Sequence, residues 1–208
     1  MRFFASVTSL LLALLPLQAS VQDGIRGINF KNFSFAWDDN LSESTVVPSL
    51  YRWITPLPHL HIRTENGLHR FYAYLDDPRD ALEREHAPVV SVDSVVYGDL
   101  DGDGTDEAVV HLNYGTGGTQ NWDFLYIFKR THNRTHLIAL LESGSRAYGG
   151  LVRSSIENGQ LVLDFADAER RIGDCCSEGF IRVRYRYRNG AFVEEGSRTR
   201  GDLKPVAH

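Results

Sequence analysis

The stretch Val95-Val-Tyr-Gly-Asp99-Leu-Asp-Gly-Asp-Gly-Thr-Asp-Glu107-Ala-Val-Val110 decides the predicted fold, because it joins two apolar runs through an acidic turn. The first run covers Val89 to Tyr97 and the second covers Ala108 to Asn113. Short runs rich in valine are typical of buried strands. The stretch therefore predicts a strand–loop–strand unit.

The acidic turn has the composition of a calcium loop. Its carboxylates at positions 99, 101, 103, 106 and 107 would repel one another unless a cation or water neutralised them. Calcium takes about six to eight oxygen ligands, and alternate positions of a tight loop can point at one centre when the sixth residue, here Gly104, supplies the sharp turn. The predicted ligands are Asp99, Asp101, Asp103, the backbone carbonyl of Thr105 and Glu107.

The alternative for this segment is a solvated turn, since Asp and Gly favour turns in the absence of any metal. Three Asp residues in alternating order followed by Gly favour calcium over that alternative. Magnesium is disfavoured because it retains more of its water.

The rest of the chain has the pattern of an antiparallel β protein. Further apolar runs cover Phe124 to Lys129, His136 to Leu141, Leu151 to Ile156, Leu161 to Phe165, Phe180 to Arg188 and Ala191 to Glu194. Asn-Gly pairs at 66–67, 158–159 and 189–190 suit tight hairpin turns. The one helix candidate is Asp76 to Ala87. We predict a mainly β fold, an antiparallel meander forming a sandwich or open barrel-like sheet, with a short helix and one strand–loop–strand calcium site.

The N-terminus has the layout of a secretory signal. Arg2 precedes the apolar stretch Leu10 to Leu17, and a cleavage site follows at Ala19. We therefore expect residues 1–19 to be a signal peptide and the protein to be exported, periplasmic or extracellular; a buried N-terminal helix is the alternative. We expect residues 20–88 to form strands, a loop and a short helix that pack on the core. Residues 89–196 should form the β-meander with the calcium loop, and residues 197–208 a flexible tail.

The acidic loop resembles the DxDxDG calcium loops of integrin-type FG-GAP repeats, dockerins and EF-hands. Its twelfth position is Val110, where an EF-hand needs a bidentate Glu, so the resemblance implies the integrin-type form. A wider resemblance, over Val95 to Glu195, is to a group of exported bacterial proteins of unknown function; the acidic loop, Tyr114-Gly-Thr-Gly-Gly118 and Asp174-Cys-Cys176 carry it. This resemblance implies a periplasmic or secreted setting and brings no catalytic residue.

The two cysteines of the chain, Cys175 and Cys176, are adjacent. A disulfide between them would close a ring across one trans peptide, where the Cα atoms are about 3.8 Å apart, below the usual span of the bond. Such a ring could stiffen the turn or act as a redox element, or the residues could remain buried thiols. A structural role is favoured, and the cysteines do not identify an enzyme.

The run Ile181 to Arg188 alternates apolar and cationic residues, which places four arginines on one strand face: Arg182, Arg184, Arg186 and Arg188. This ladder could bind an anionic glycan, phosphate or carboxylate through bidentate hydrogen bonds. The favoured alternative is a solvated face whose arginines pair with acids on neighbouring strands, such as Asp164 or Asp167.

Charge and motifs limit the function classes. The formal net charge of −5 argues against nucleic-acid binding, and no segment beyond the N-terminus is apolar enough to cross a membrane. His59, His61 and His69 could form a zinc site, but surface histidines are commoner. No nucleophile elbow occurs, so an enzyme is unsupported. We predict a non-catalytic, exported, calcium-binding β domain; the alternative is a cell-envelope enzyme or anionic-ligand-binding protein that uses the arginine face, with an envelope glycan or a protein as partner.

Overall fold

The computed structural model describes residues 24–35, 62–71, 77, 79–116, 121–145 and 147–203. The predicted signal peptide, His59 and His61 lie outside the described residues. In the described part the strands are β1 (Ser34–Phe35), β2 (Ile62–Arg63), β3 (Leu68–Arg70), β4 (Val89–Gly98), β5 (Glu107–Gly115), β6 (Asn121–Thr131), β7 (Arg134–Glu142), β8 (Leu151–Glu157), β9 (Gln160–Ala166), β10 (Arg171–Ile172), β11 (Cys176–Ser177), β12 (Gly179–Arg188), β13 (Ala191–Glu194) and β14 (Thr199–Asp202). Short 3₁₀ turns cover Ile25–Gly27, Phe30–Asn32 and Ala168–Arg170, and one α-helix, α1, covers Ala81–Glu85.

Two five-stranded antiparallel sheets form the body of the protein. The first sheet has the order β3-β4-β5-β6-β7. One of the sheets curls into half a barrel. The second sheet has the order β13-β12-β9-β8, and β14 also pairs with β12. Consecutive strands are neighbours through most of both sheets, so the predicted mainly β, antiparallel meander is confirmed.

Tight turns connect several strands where the sequence places Asn-Gly. At Asn158-Gly159 and Asn189-Gly190 both residues have positive φ, the geometry that follows the twist of a hairpin. His132 and Asn133 adopt the same geometry between β6 and β7 without a glycine. This turn was not predicted, since no Asn-Gly pair marks it.

The first sheet is buried on both faces because side chains of its central strands alternate between two clusters. On one face Val110 and Phe128 pack with Phe35 from the N-terminal segment. On the opposite face Val109 packs with Leu163 of the second sheet. The first sheet is therefore the middle layer, between the N-terminal segment and the second sheet.

Two elements differ from the sequence-based expectation. The helix is shorter than the predicted 76–87, since α1 covers only Ala81–Glu85. The predicted flexible tail, 197–208, is wrong for Thr199–Asp202, which form β14 and pair with residues 179–182 of β12. The segment is polar, as flexible tails commonly are, but its backbone hydrogen bonds to β12 make it a strand. No described helix has both the length and the apolar character needed to cross a membrane.

Candidate metal site

The acidic loop joins β4 to β5, whose terminal residues Gly98 and Glu107 are paired in the ladder. Asp99 organises the loop from inside. Its Oδ1 accepts a hydrogen bond from the backbone N–H of Gly102 at 2.6 Å, and its Oδ2 accepts one from that of Gly104 at 2.9 Å. Both glycines have positive φ, 82° and 86°, which favours glycine at these positions. The loop thus turns around the carboxylate of Asp99.

The next two aspartates form local turns of their own. Oδ1 of Asp101 accepts from the backbone N–H of Asp103 at 3.2 Å. Oδ1 of Asp103 accepts from both the backbone N–H of Thr105, at 2.9 Å, and its hydroxyl, at 2.5 Å. The loop therefore has a defined shape with one oxygen of each of these aspartates already engaged.

Glu107 is the fully buried member of the loop, at 0% exposure. Its Oε2 accepts a hydrogen bond from the backbone N–H of Leu100 at 2.8 Å. Its Oε1 is buried and has no hydrogen-bond partner among the residues that the structure describes. Burial raises the pKa of Glu107 to about 7, opposed by the Leu100 hydrogen bond and assisted by the neighbouring Asp101. A buried carboxylate oxygen without a donor is costly unless a cation lies beside it.

Three of the predicted ligands converge. Oxygen atoms of Asp99, Asp101 and Glu107 all lie within 4.8 Å of one another, so this group could hold a metal ion. Asp103 is not part of that group; it is directed to Thr105 and to a lysine on β6. The side chain of Asp106 turns away, and its Oδ2 lies 2.5 Å from Nε of Arg26.

Lys129 is the residue that the sequence interpretation missed. From β6, its ammonium donates hydrogen bonds to Oδ2 of Asp101 and, at 2.6 Å, to Oδ2 of Asp103, and it lies 3.6 Å from Oε1 of Glu107. Burial alone would lower the pKa of Lys129, but the hydrogen bonds to the two aspartates raise it above its usual range. The contact follows from the register of β5 and β6: Ala108 pairs with Phe128, which brings the adjacent residues Glu107 and Lys129 together.

The loop also forms one wall of an open cleft of about 600 Å³. The opposite wall comes from the β8–β9 turn and from Arg186 and Tyr187 of β12. At Gly159 in that turn, an added Cβ would lie 3.4 Å from the backbone oxygen of Asp99, so the second sheet approaches the loop closely. The candidate metal site is therefore partly open to solvent.

The arginines of β12 face carboxylates from neighbouring segments. Arg182 donates to both oxygens of Asp164, at 2.7 and 2.9 Å. Arg186 and Arg188 donate to the two oxygens of Glu195, at 2.8 and 2.6 Å. Arg184 forms no ion pair with the described residues. Three of the four guanidinium groups are thus engaged within the protein, and Asp167, the other expected acid, pairs with Arg200.

Cys175 and Cys176 form a disulfide, with Cα atoms 3.7 Å apart. Both residues are exposed and lie at the turn between β10 and β11. The alternative of buried thiols is therefore wrong. His69, the one described member of the histidine trio, contacts the backbone oxygen of Arg63 through Nδ1 at 2.9 Å.

Searches against known protein families, curated proteins and solved structures gave no match. The fold and the site define an antiparallel β protein with an acidic loop that could hold a metal ion.

Proposed function

We propose that this protein is an exported, non-catalytic calcium-binding β domain, in which a calcium ion in the acidic loop ties β4 to β5. The observation that carries the proposal is the buried Oε1 of Glu107, which has no hydrogen-bond donor among the described residues. That oxygen belongs to the group in which ligand atoms of Asp99, Asp101 and Glu107 lie within 4.8 Å of one another.

The charge balance supports a divalent ion. Lys129 brings one positive charge to three carboxylates, those of Asp101, Asp103 and Glu107. Calcium brings two charges and accepts carboxylate and carbonyl oxygens in a flexible geometry. Asp103 and the carbonyl of Thr105 would complete the ligand set, provided that the ammonium of Lys129 moves away from the ion.

The positions of the ligands support a structural role. Asp99 follows the last residue of β4 and Glu107 is the first residue of β5, so one ion would link both strand ends. Val110, at the twelfth position, is fully buried within β5 and cannot act as a ligand. This accords with the integrin-type form of the loop that its resemblance implies.

Calcium titration of the mature protein tests the proposal. By titration calorimetry we expect one calcium ion to bind per chain and magnesium to bind more weakly. The melting temperature should be higher with calcium than with chelator. A ligand specific for the folded state at about 100 times its dissociation constant stabilises that state by about 2.7 kcal/mol. Asp99→Asn should lower calcium affinity at least about tenfold, because it removes a charged ligand.

The loop contains its own control for this substitution. Asp106→Asn makes the same change of charge, but the Asp106 carboxylate is held by Arg26 outside the ligand group. The calcium affinity of the Asp106→Asn variant should remain close to that of the unaltered protein. Equal losses in the two variants would indicate a general charge effect, and no binding at millimolar calcium would refute the site.

Export is the second part of the proposal. The N-terminal layout supports it, as does the Cys175–Cys176 disulfide, because disulfides persist mainly in oxidising compartments. Expression of the full chain in a bacterium, followed by fractionation, should give a periplasmic or secreted product whose N-terminal residue is Ser20. Recovery of the uncleaved chain in the cytoplasm would contradict export.

The alternative function, anion binding or catalysis on the arginine face, has no observation in its favour. Arg182, Arg186 and Arg188 are already engaged by Asp164 and Glu195. Calcium binding is therefore the single proposed activity.

A further inference from the structure

A second group of possible metal ligands lies on the first sheet, away from the acidic loop. His111 on β5, Asp123 on β6 and Asp93 on β4 each offer one ligand atom, and these atoms all lie within 4.8 Å of one another. Nε2 of His111 and Oδ1 of Asp123 are 2.9 Å apart. Three adjacent strands thus bring an imidazole and two carboxylates together.

A β-bulge places Asp93 in this group. Val92 pairs with Leu112 and Ser94 pairs with His111, so Asp93 is an extra residue with no partner in the β4–β5 ladder. A bulge redirects side chains and is common beside functional sites. Here it adds a third side chain to a pair that the regular ladder already supplies.

The pair itself is well enclosed and only partly satisfied. The side chains of His111 and Asp123 are each 9% exposed. Asn113 also donates to Oδ1 of Asp123, at 2.9 Å. The hydrogen bonds from His111 and Asn113 both reach Oδ1 of Asp123, whereas Oδ2 is not fully buried and remains accessible beside the imidazole. Asn113 orients the carboxylate in the manner of an outer-shell residue.

We propose that His111, Asp123 and Asp93 form a second metal site, selective for zinc or a similar first-row divalent ion. The reason for this class is the donor set, one imidazole nitrogen with carboxylate oxygens, which zinc accepts and the all-oxygen preference of calcium does not match. Zinc places its ligands about 2.0–2.2 Å from the ion. Asp93 is exposed, so solvent reaches this edge of the group and the Asp93 side chain can adjust toward an ion.

The two proposed sites are separate. Along the β4–β5 ladder, the pair Ser94–His111 and the pair Gly98–Glu107 are four residue pairs apart. At about 3.4 Å per residue this separation is about 14 Å, too far for one ion to contact both groups. Each site can therefore be removed without changing the ligands of the other.

Zinc titration of the mature protein in saturating calcium tests the inference, with cobalt absorption as a second readout. We expect one zinc ion per chain, and a visible cobalt spectrum that zinc abolishes. Asp93→Asn should weaken zinc at least about tenfold, since ligand loss costs no less than loss of an outer-shell residue. The variant keeps the oxygen that accepts from Ser91 at 2.9 Å, so the bulge should remain folded.

Asp106→Asn is the matched control, because it removes a carboxylate that lies outside both ligand groups and should leave zinc affinity unchanged. His111→Gln should abolish the cobalt spectrum; if that variant does not fold, Asp93→Asn alone decides the question. Absence of zinc binding at millimolar concentration would show that His111 and Asp123 are a buried hydrogen-bonded pair only. Unchanged zinc affinity in Asp93→Asn would also overturn the inference.

Discussion

The ammonium of Lys129 lies 3.6 Å from Oε1 of Glu107, on the side where the carboxylates of the acidic loop converge. A lysine and a calcium ion cannot occupy that place together, because their charges repel strongly at such distances. Lys129 is therefore an internal competitor of the proposed ion as well as a stabiliser of the ion-free loop.

Replacing Lys129 with methionine should separate these two roles. Lys129→Met keeps the aliphatic stem and removes the charge, so we expect calcium affinity to rise by about tenfold, or about 1.4 kcal/mol. Without calcium the variant should melt at a lower temperature, because nothing then offsets the repulsion among Asp101, Asp103 and Glu107. Calorimetric titration and melts in chelator measure both effects.

A lysine-to-methionine change must be compared with loss of a cation elsewhere. Arg134→Met, at the exposed start of β7, alters the net charge equally and should change calcium affinity little. If Lys129→Met weakens calcium binding, Lys129 does not compete with the ion.

Asp164 should make the protein sensitive to acid. Burial alone would raise its pKa, but hydrogen bonds from Arg182 and Arg153 outweigh burial and hold the pKa below its usual range. Because the folded-state pKa is the lower one, the stabilisation is complete above the unfolded-state value of about 3.9 and is lost as pH falls through the folded-state value. Asp164→Asn should lower the free energy of unfolding at neutral pH by about 1.5–3 kcal/mol.

Urea unfolding at neutral pH and at successively lower pH would test this prediction. The variant should lose less stability than the unaltered protein on acidification, since it lacks the titrating group. Asp202→Asn breaks an exposed pair with Arg170 and should cost at most about 1 kcal/mol. Parallel pH profiles for Asp164→Asn and the unaltered protein would contradict the proposed cause.

Gly98 marks a close approach between the two sheets. A Cβ added there would lie 2.8 Å from Cγ2 of Ile156 on β8, so Gly98→Ala should destabilise the fold by about 1–3 kcal/mol through overpacking. Ile156→Ala removes the opposing atoms, and the double variant should lose less stability than the sum of the single variants. Additive losses in a double-mutant cycle would show that this contact is not the cause.

The vicinal disulfide should contribute little to global stability. It constrains a ring of only two residues, whereas the stabilisation from a cross-link increases with the loop that it closes. Replacing both Cys175 and Cys176 with serine should therefore lower the free energy of unfolding by no more than about 1.2 kcal/mol. Melting curves with and without reductant measure this effect, and a larger loss would assign the bond a structural role beyond its own turn.

Local patterns carried most of the fold prediction. The alternation in β12 is periodic enough to assign its faces: Val183 and Tyr185 are buried, and Arg188 is exposed. Asn-Gly pairs marked two hairpin turns because their backbone preference is intrinsic. By contrast, β14 is polar, and only its hydrogen bonds to β12 make it a strand.

The site was predictable only as far as the loop extends. Spacing identified Asp99, Asp101 and Glu107, since ligands within one short loop are positioned by local geometry. Lys129 lies 22 residues beyond Glu107 in the sequence, and its contact depends on the β5–β6 register. The Asp93–His111–Asp123 group depends on a bulge and on three strands. Such relationships follow from tertiary pairing, which the sequence pattern does not encode locally.

One edge of β12 is covered by two short strands, β14 along residues 179–182 and β13 along residues 185–188. Each covering strand is only four residues long, and Glu194 and Arg198 form an ion pair beside them. Long uninterrupted strand edges recruit strands from other molecules, whereas short and charged edges do not. The divided edge thus protects this side of the sandwich against aggregation at high protein concentration.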